Sequence, residues 1–302
     1  MPDDVLLDAP VLPGALAPDL AARPTLLEAA GVSAGYRGDT VVHEVDLRLR
    51  AGQVTTLVGP NGSGKSTLLR TLAALHPRSG GQVGVGAPGE ARDVDHLSRR
   101  ELAHRLTLLS QSRPTPGGVT VRELVEYGRH PHRGRWRSAD PEGSVAVDRA
   151  MQLTGTTHLG DRPVDNLSGG QLQRVWLAAC LAQDTPVLLL DEPTTFLDLR
   201  YQAELLDIVR DLADTHGIAV GLVLHDLDQA AAVADTVVLL VDGRVVAAGP
   251  PEVVLTSEHL TAAYGIAVEV DEDPRTGLLR TRVRARHHER ARRGPAPQNP
   301  TP

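Results

Sequence analysis

The sequence predicts an α/β fold in which a mostly parallel β-sheet is covered by helices on both faces. Two short, continuously apolar runs, residues 187–190 and 218–224, are typical of central strands buried on both sides. A third predicted strand, residues 53–58, leads through a glycine-rich loop directly into a helix over about residues 65–75. Strands that alternate with helices in this way favour a parallel sheet.

The regions around this sheet differ in pattern. Residues 25–50 alternate apolar and polar side chains and contain a turn signal at residues 37–39, which predicts antiparallel strands. Residues 119–181 are mostly helical in pattern and interrupted by glycine, proline and arginine, which predicts a separate helical lobe. Residues 237–241 and 245–248 predict a hairpin around an Asp-Gly turn.

Composition excludes several classes of protein. The net charge of −7 argues against a general nucleic-acid binder, and a hydrophobic fraction of 41% is ample for a core. The single cysteine, Cys180, cannot form an internal disulfide, and we interpret it as a small buried side chain on a helix. No apolar run reaches the roughly 18 residues that span a bilayer, and residues 1–23 lack the pattern of a signal peptide. We therefore expect a cytoplasmic protein.

A phosphate-binding loop follows the strand at residues 53–58. Residues 59–66 match G-x-x-x-x-G-K-[ST] between a strand and a helix, and Lys65 is the only lysine beside thirty arginines. Backbone N–H groups and the helix N-terminus would cradle phosphates, Lys65 would reach the β- and γ-phosphates, and Ser66 would ligate Mg²⁺. The predicted nucleotide-binding residues here are Gly59, Pro60, Asn61, Gly62, Ser63, Gly64, Lys65, Ser66 and Thr67.

Two adjacent carboxylates end the apolar strand at residues 187–190. Asp191 is predicted to hold Mg²⁺, directly or through water. Glu192 is predicted to lie near the γ-phosphate, where a carboxylate orients the attacking water or accepts its proton. A capping pair on a loop is the alternative for Asp-Glu alone. A GTPase that reads guanine through N-K-x-D is excluded, because the chain has no second lysine.

The segment Leu167-Ser168-Gly169-Gly170-Gln171, followed by Gln173-Arg174, resembles the signature sequence of ATP-binding-cassette (ABC) ATPases. The resemblance covers roughly residues 26–270 and implies a RecA-like core, an antiparallel β subdomain and a helical subdomain. It also implies a dimer in which the signature of one subunit closes on ATP held by the other. Signature residues expected at that ATP are Ser168, Gly169, Gly170 and Gln171.

Four further positions match the family. Tyr36 falls where the family places an aromatic side chain that stacks on adenine, and Gln111 resembles the loop glutamine that touches Mg²⁺ or water. Asp198 matches a loop aspartate at the dimer interface. His225, at the end of a predicted strand, resembles the switch histidine that contacts the γ-phosphate. The resemblance thus implies catalytic roles for Glu192, His225, Lys65 and Gln111, with Mg²⁺ held by Ser66, Gln111 and Asp191.

The resemblance also sets expected domain boundaries. Residues 1–24 are expected to be a disordered extension and residues 25–270 the ABC ATPase domain, with its helical subdomain at about residues 112–182. Residues 271–302 are expected to be a flexible Arg- and Pro-rich tail. Residues 280–293 contain seven arginines and either contact anionic lipid or take no part in function.

The cargo is predicted from local matches. Residues 115–121, 127–132, 224–230 and 263–265 resemble segments of siderophore-importer ATPases, and haem and cobalamin importers share several of them. The expected partners are membrane permease subunits, a substrate-binding protein and a second copy of the chain or a paralogue, at the inner face of the cell membrane.

Other functional classes fit the sequence less well. A soluble ABC protein of DNA repair or translation usually carries paired cassettes or coiled-coil arms, and a P-loop kinase would not need the signature. His130 and His132 make a poor metal site, because no cysteine or carboxylate accompanies them. The basic stretch at residues 129–137, with Trp136, either faces the permease or membrane or is an ordinary solvated face.

Overall fold

The structure is a computed structural model that describes residues 22–111, 113–114, 116–133 and 140–284. The strands are β1 (Thr25–Tyr36), β2 (Asp39–Arg50), β3 (Val54–Val58), β4 (Arg78–Val85), β5 (Arg92–Asp93), β6 (Leu106–Leu109), β7 (Val187–Asp191), β8 (Ala219–Val223), β9 (Thr236–Val241), β10 (Arg244–Gly249), β11 (Val268–Glu272) and β12 (Leu279–Val283). The helices are α1 (Lys65–Leu72), α2 (Arg99–Ala103), α3 (Val121–Glu126), α4 (Gly143–Leu153), α5 (Gly169–Ala182), α6 (Leu199–Asp214), α7 (Leu227–Val233), α8 (Pro251–Val254) and α9 (Ser257–Tyr264).

The main sheet has six strands in the order β10-β9-β3-β8-β7-β6. The strands from β9 to β6 are parallel to one another, and β10 pairs antiparallel with β9. Every residue of β3, β7 and β8 is buried, as the continuous apolar runs predict. The predicted α/β fold is confirmed. Because the carboxyl ends of parallel strands meet at one sheet edge, the loops after β3, β6, β7 and β8 converge there.

A second, antiparallel sheet has the order β2-β1-β4-β5. Strands β1 and β2 form the hairpin that the alternating pattern predicts, with Arg37 and Gly38 in its turn. Both turn residues have positive φ, +52° and +97°, which matches the right-handed twist of the flanking strands. This sheet packs its buried face on α1 and the main sheet, so it brings the end of β1 towards the phosphate loop's helix.

Helices α3, α4 and α5 form the helical lobe. Their apolar side chains share a separate core, which includes Val121, Leu124, Val147, Met151 and Val175. Capping boxes start two of the helices, because Thr120 pairs reciprocally with Glu123 and Ser168 with Gln171. The lobe therefore has its own packing, and α5 joins it to the main sheet.

The basic stretch at residues 129–137 begins inside the protein. Arg129 is only 3% exposed and makes two contacts with the Asp140 carboxylate, of 2.7 and 3.0 Å. Its third donor reaches the Ala182 carbonyl, and His132 Nε2 lies 2.8 Å from the Gln183 carbonyl. Arg129 therefore faces neither a permease nor a membrane. Trp136 and Thr115 lie outside the described residues.

The chain continues as regular structure beyond residue 270. Strands β11 and β12 form an antiparallel hairpin on α7, where Thr281 N and Oγ1 donate to Asp228 Oδ1 at 2.8 and 2.9 Å. The expectation of a flexible tail from residue 271 is therefore wrong for residues 271–284. The hairpin is held because Val270 and Leu279 pack on the core while the charged residues face outwards. Residues 1–21 and 285–302 lie outside the described part.

Among the described residues, no helix is both long and apolar enough to cross a bilayer.

Candidate active site

Lys65 opens α1 directly after the glycine-rich loop. Its ammonium group donates to the Gly59 and Pro60 carbonyls, both at 2.8 Å, and the residue is 5% exposed. Burial lowers the Lys65 pKa, and the charges of Glu192 and Asp191 oppose that shift. The loop carbonyls and nearby carboxylates therefore hold a cation where the phosphates of a nucleotide would lie.

The loop backbone requires glycine at defined places. Gly59 and Gly64 have φ values of +143° and +97°, which side-chain-bearing residues rarely adopt. A Cβ atom on Gly59 would lie 2.0 Å from the Leu240 carbonyl oxygen. The close approach of β9 to the loop thus leaves room only for hydrogen at this position.

Asp191 ends β7 beside the first turn of α1. Ser66 Oγ donates to Asp191 Oδ1 at 2.7 Å, and the Arg70 guanidinium lies 3.7 Å from Oδ2. Burial raises the pKa of the Asp191 carboxyl, while the Ser66 hydrogen bond and Arg70 lower it. Oδ2 is buried and accepts no hydrogen bond from any described residue. A hydroxyl beside a carboxylate oxygen that lacks a hydrogen-bond donor is the kind of oxygen-donor set that Mg²⁺ takes.

Glu192 follows Asp191 in a left-handed conformation, with φ of +53°. Its Oε1 lies 2.6 Å from His225 Nε2, and its Oε2 accepts from Gln111 Nε2 at 2.7 Å. His225 follows β8 and Gln111 follows β6, so both partners come from neighbouring strand ends. Three residues predicted separately from the sequence therefore meet, although Gln111 was expected beside Mg²⁺ or water.

These groups surround one cleft of about 460 Å³. The residues that line it come from the phosphate loop, from β2 and from the three strand ends: Val41, Asn61, Gly62, Gly64, Lys65, Ser66, Thr67, Gln111, Glu192 and His225. The cleft has room for the phosphates of a nucleotide and holds a carboxylate next to them.

Tyr36 lies at the end of β1 and is 45% exposed. Its neighbour is His76, which the sequence did not predict; the His76 ring centroid is 4.3 Å from that of Tyr36, with the planes 37° apart. His76 Nε2 lies 2.9 Å from the Gly35 carbonyl, which fixes the histidine ring beside the tyrosine. No motif marks His76; the pairing of Ala34 with Arg78 across β1 and β4 brings it there.

The signature residues lie outside the cleft of their own chain. Ser168 caps α5, and its Oγ accepts from Gln171 N at 3.3 Å. A Cβ atom on Gly169 would contact nothing within 4 Å, whereas one on Gly170 would lie 2.6 Å from the Tyr201 ring. The N-terminus of α5 therefore presents small residues and open space on one side and packs tightly on the other.

Asp198 is likewise separate from the cleft. Its Oδ1 accepts from Tyr201 N at 3.0 Å and so caps α6. Phe196 and Leu199 flank it and are 96% and 85% exposed, so the loop presents two large apolar side chains to solvent. Such exposure is typical of a surface that a partner covers.

Comparisons with known proteins agree with this geometry. The ABC transporter family model matches residues 42–195. The ferric enterobactin transport ATP-binding protein FepC of Escherichia coli is 44% identical over 80% of this chain and 88% of its own length. The hemin import ATP-binding protein HmuV of Streptomyces coelicolor is 45% identical over 87% of this chain and 91% of its own.

A solved metal-chelate type ABC transporter in an inward-facing conformation has the same fold. It superposes with a TM-score of 0.76 at 25% identity, over 87% of this chain and 99% of that one. The residues matched by the family model include the phosphate loop, the signature helix and the acidic end of β7, in the chain order of that family. The chain therefore belongs to the ABC transporter family of ATP-binding subunits.

Proposed function

We propose that the chain hydrolyses ATP to power uptake of a ferric siderophore through a separate membrane permease that receives its cargo from a substrate-binding protein. The observation that carries the hydrolytic part is the meeting of Glu192 with His225 and Gln111 beside the phosphate loop. As an ABC ATP-binding subunit the chain is an ATPase. The proposed location is the cytoplasmic face of the membrane, bound to the permease.

The nucleotide lies between the phosphate loop and Tyr36. Lys65 turns from the Gly59 and Pro60 carbonyls to the β- and γ-phosphates, which compete for its N–H donors. The loop N–H groups and the α1 N-terminus hold the remaining phosphate oxygens. Tyr36 stacks on adenine through the ring face that His76 leaves open.

Ser66 and Asp191 would hold Mg²⁺, because a hydroxyl lies there beside a buried carboxylate oxygen to which none of the described residues donates a hydrogen bond. Gln111 donates through Nε2 to Glu192, so its Oε1 is the atom that would face the metal or a water. When bound, Mg²⁺ neutralises charge on the β- and γ-phosphates.

Glu192 orients the attacking water and takes its proton. Both oxygens of this carboxylate have partners, His225 and Gln111, which fix its plane before substrate arrives. The N–H group of His225 can also donate its hydrogen bond to the γ-phosphate in place of Glu192. Hydrolysis thus depends on groups from the ends of three adjacent strands.

A second copy of the chain, or a paralogue, completes the site. The signature residues do not reach the cleft of their own chain, and Gly169 is open to solvent at the N-terminus of α5. Such a helix end attracts anions, so it fits the γ-phosphate of ATP held by the partner. Asp198, Phe196 and Leu199 would lie in the same interface.

The cargo is proposed from the relatives. FepC is named for ferric enterobactin transport, and a Bacillus subtilis relative at 38% identity is named for iron(3+)-hydroxamate import. Haem is the second candidate, because HmuV is equally similar in sequence. Ferric siderophores and haem are both bulky, iron-containing cargoes. In the proposed transporter the permease, and not this subunit, recognises them.

Uptake assays separate these cargoes. A strain lacking the gene, complemented with wild type or with Glu192→Gln, is supplied with labelled ferric siderophores, haem or cobalamin. We expect loss of ferric-siderophore uptake alone, restored only by wild type. Normal siderophore uptake with loss of haem or cobalamin uptake would overturn the proposed cargo and keep the ATPase. Full restoration by Glu192→Gln would overturn the ATPase role in transport.

A further inference from the structure

Arg113 lies two residues after Gln111, at the entrance to the helical lobe. Its Nε donates to the Ser110 carbonyl at 2.6 Å, and its Nη2 donates to Gln173 Oε1 at 3.3 Å. Its guanidinium carbon lies 5.4 Å from the Trp176 ring centroid. Arg113 therefore joins the segment that carries Gln111 to the first turns of α5.

Gln173 extends this connection to the other side of the site. Its Nε2 donates to the Pro193 carbonyl at 2.9 Å, and Pro193 directly follows Glu192. A glutamine amide has one acceptor side and one donor side. Arg113 can only donate and the Pro193 carbonyl can only accept, so these two partners permit one orientation of the amide.

Two connections thus join the same pair of segments. Gln111 reaches Glu192 directly at 2.7 Å, and Arg113 reaches Pro193 through Gln173. The second connection passes through α5, the helix whose N-terminus carries Ser168 and Gly169. The end of β6, the signature helix and the end of β7 are therefore linked within one chain.

The chemistry of the position requires arginine. A planar guanidinium stacks on an aromatic ring while it donates in two directions, which an ammonium group does not reproduce. Arg113 Nη1 is buried and has no hydrogen-bond partner among the described residues.

We propose that Arg113 is a positioning residue that fixes the Gln111 segment against α5 and, through Gln173, holds Gln111 against Glu192. The inference rests on the proposed function, since it assigns Arg113 an effect on hydrolysis through Gln111. Arg113 itself does not touch the nucleotide cleft. Its loss loosens the geometry of hydrolysis and leaves the ATP-binding loop intact.

Steady-state ATP hydrolysis by the full chain tests this proposal. We expect Arg113→Ala to lower kcat about tenfold and to change KM less than about twofold, because misplacement of a catalytic group affects turnover more than binding. Arg122→Ala is the matched control, since Arg122 pairs with exposed Asp148 in the same lobe and should keep wild-type kinetics. If Arg113→Ala does not fold, Arg113→Met is measured in its place, because methionine keeps an apolar contact with Trp176.

Double variants separate positioning from general destabilisation. In a Gln111→Ala background, Arg113→Ala should cause no further loss of kcat, because the residue through which it acts is gone. Gln173→Glu should reproduce the kcat loss, since a carboxylate still accepts from Arg113 but cannot donate to Pro193. If the role of Arg113 were merely structural, Arg113→Ala would lower kcat both in the wild-type chain and in the Gln111→Ala background.

Three outcomes would overturn the proposal. These are kcat within twofold of wild type for both Arg113 variants, independent losses that multiply in the double variant, and a raised KM with unchanged kcat. Glu192→Gln, measured alongside, keeps the two hypotheses apart. Its loss of turnover upholds the ATPase assignment whatever the Arg113 variants do.

Discussion

Glu192 Oε1 lies 2.6 Å from His225 Nε2, and the two residues follow the adjacent parallel strands β7 and β8. An ionised carboxylate can only accept, so in this contact the donor is the N–H group of His225. The other carboxylate oxygen is taken by Gln111 from the end of β6. The Glu192 carboxylate is therefore oriented from both sides by residues at the ends of neighbouring strands.

Asp191→Asn is expected to stabilise the nucleotide-free chain at pH 7. The Asp191 pKa is raised by burial above its ordinary 3.8, so the folded chain binds this proton more tightly than the unfolded chain does. The resulting stabilisation is complete below about pH 3.8 and is lost as pH rises through the folded pKa. At pH 7 the buried charge is a cost, and its removal should raise the unfolding free energy by about 1 kcal/mol.

Urea unfolding at pH 7 and near pH 4 measures this effect. The difference between Asp191→Asn and wild type should shrink at the lower pH, where wild-type Asp191 is partly protonated. Asp211→Asn, on the exposed face of α6, is the control and should change stability little. A less stable Asp191→Asn at pH 7 would contradict the conclusion that the buried Asp191 charge destabilises the nucleotide-free chain.

Tyr36→Ala is expected to raise the KM for ATP about tenfold and to leave kcat nearly unchanged, because stacking on a base contributes about 1–3 kcal/mol to binding. Tyr127→Ala is the matched control, since Tyr127 is 53% exposed in the helical lobe. Hydrolysis kinetics measured with ATP and GTP check the result. If Tyr36→Ala and Tyr127→Ala changed the KM for ATP equally, the assignment of Tyr36 to the adenine site would be wrong.

Gly169→Asp is expected to abolish ATP-dependent dimerisation without unfolding the chain. Space is open around Gly169, and an acidic group near a helix N-terminus favours the helix, but it repels the γ-phosphate of a partner's ATP. Size-exclusion chromatography with ATP, in the Glu192→Gln background, measures the dimer. Gly170→Ala is the contrast: its Cβ would press on Tyr201 and cost about 1–3 kcal/mol of stability. A full dimer with Gly169→Asp would refute the signature contact.

The C-terminal hairpin is expected to stabilise the ATPase domain. A chain ending at Glu272 lacks β12, and therefore loses Leu279 from the core and both Thr281 bonds to Asp228. The loss should be about 2–3 kcal/mol of unfolding free energy. A chain ending at Arg284 is the control and should unfold like wild type. Equal stability of the two chains would show that the hairpin does not support the fold.

The control chain ending at Arg284 also tests the part of the Arg-rich stretch that follows β12. A cut at residue 275 would remove β12 together with the tail, so any lipid effect would be mixed with loss of stability. The chain ending at Arg284 removes residues 285–302 alone. Unchanged binding of that chain to vesicles containing anionic lipid would refute a lipid contact made by residues 285–302.

Local chemistry explains which parts of the site the sequence predicts. Asp191 and Glu192 are recognisable because they stand at the end of an apolar strand, and Lys65 because it follows a glycine-rich loop that leaves one; parallel strands bring these ends together. His225 and Gln111 were predicted at strand ends too, but their contact with Glu192 depends on the strand order, which no motif encodes.

Residues that act through tertiary contacts escape sequence reasoning. His76 reaches Tyr36 through the register of β1 and β4, and Arg113 reaches Gln173 across 60 positions of the chain. The hairpin of β11 and β12 was not predicted, because its second strand contains alternate arginines and few apolar residues, a composition that is typical of a charged tail. The contact that holds the hairpin, from Thr281 to Asp228 of α7, exists only in the folded chain.

Glu192→Gln tests the central claim most directly. The substitution keeps the size of the side chain but replaces one accepting oxygen by an NH₂ group, so it removes the group that accepts the proton of water and can accept from only one of His225 and Gln111. In the purified full chain at saturating Mg²⁺ and ATP, hydrolysis should fall by about 10²–10⁴-fold while the affinity for ATP changes less than about threefold. Near-normal hydrolysis by this variant would contradict the assignment of Glu192 as the catalytic base and, with it, the account of the site.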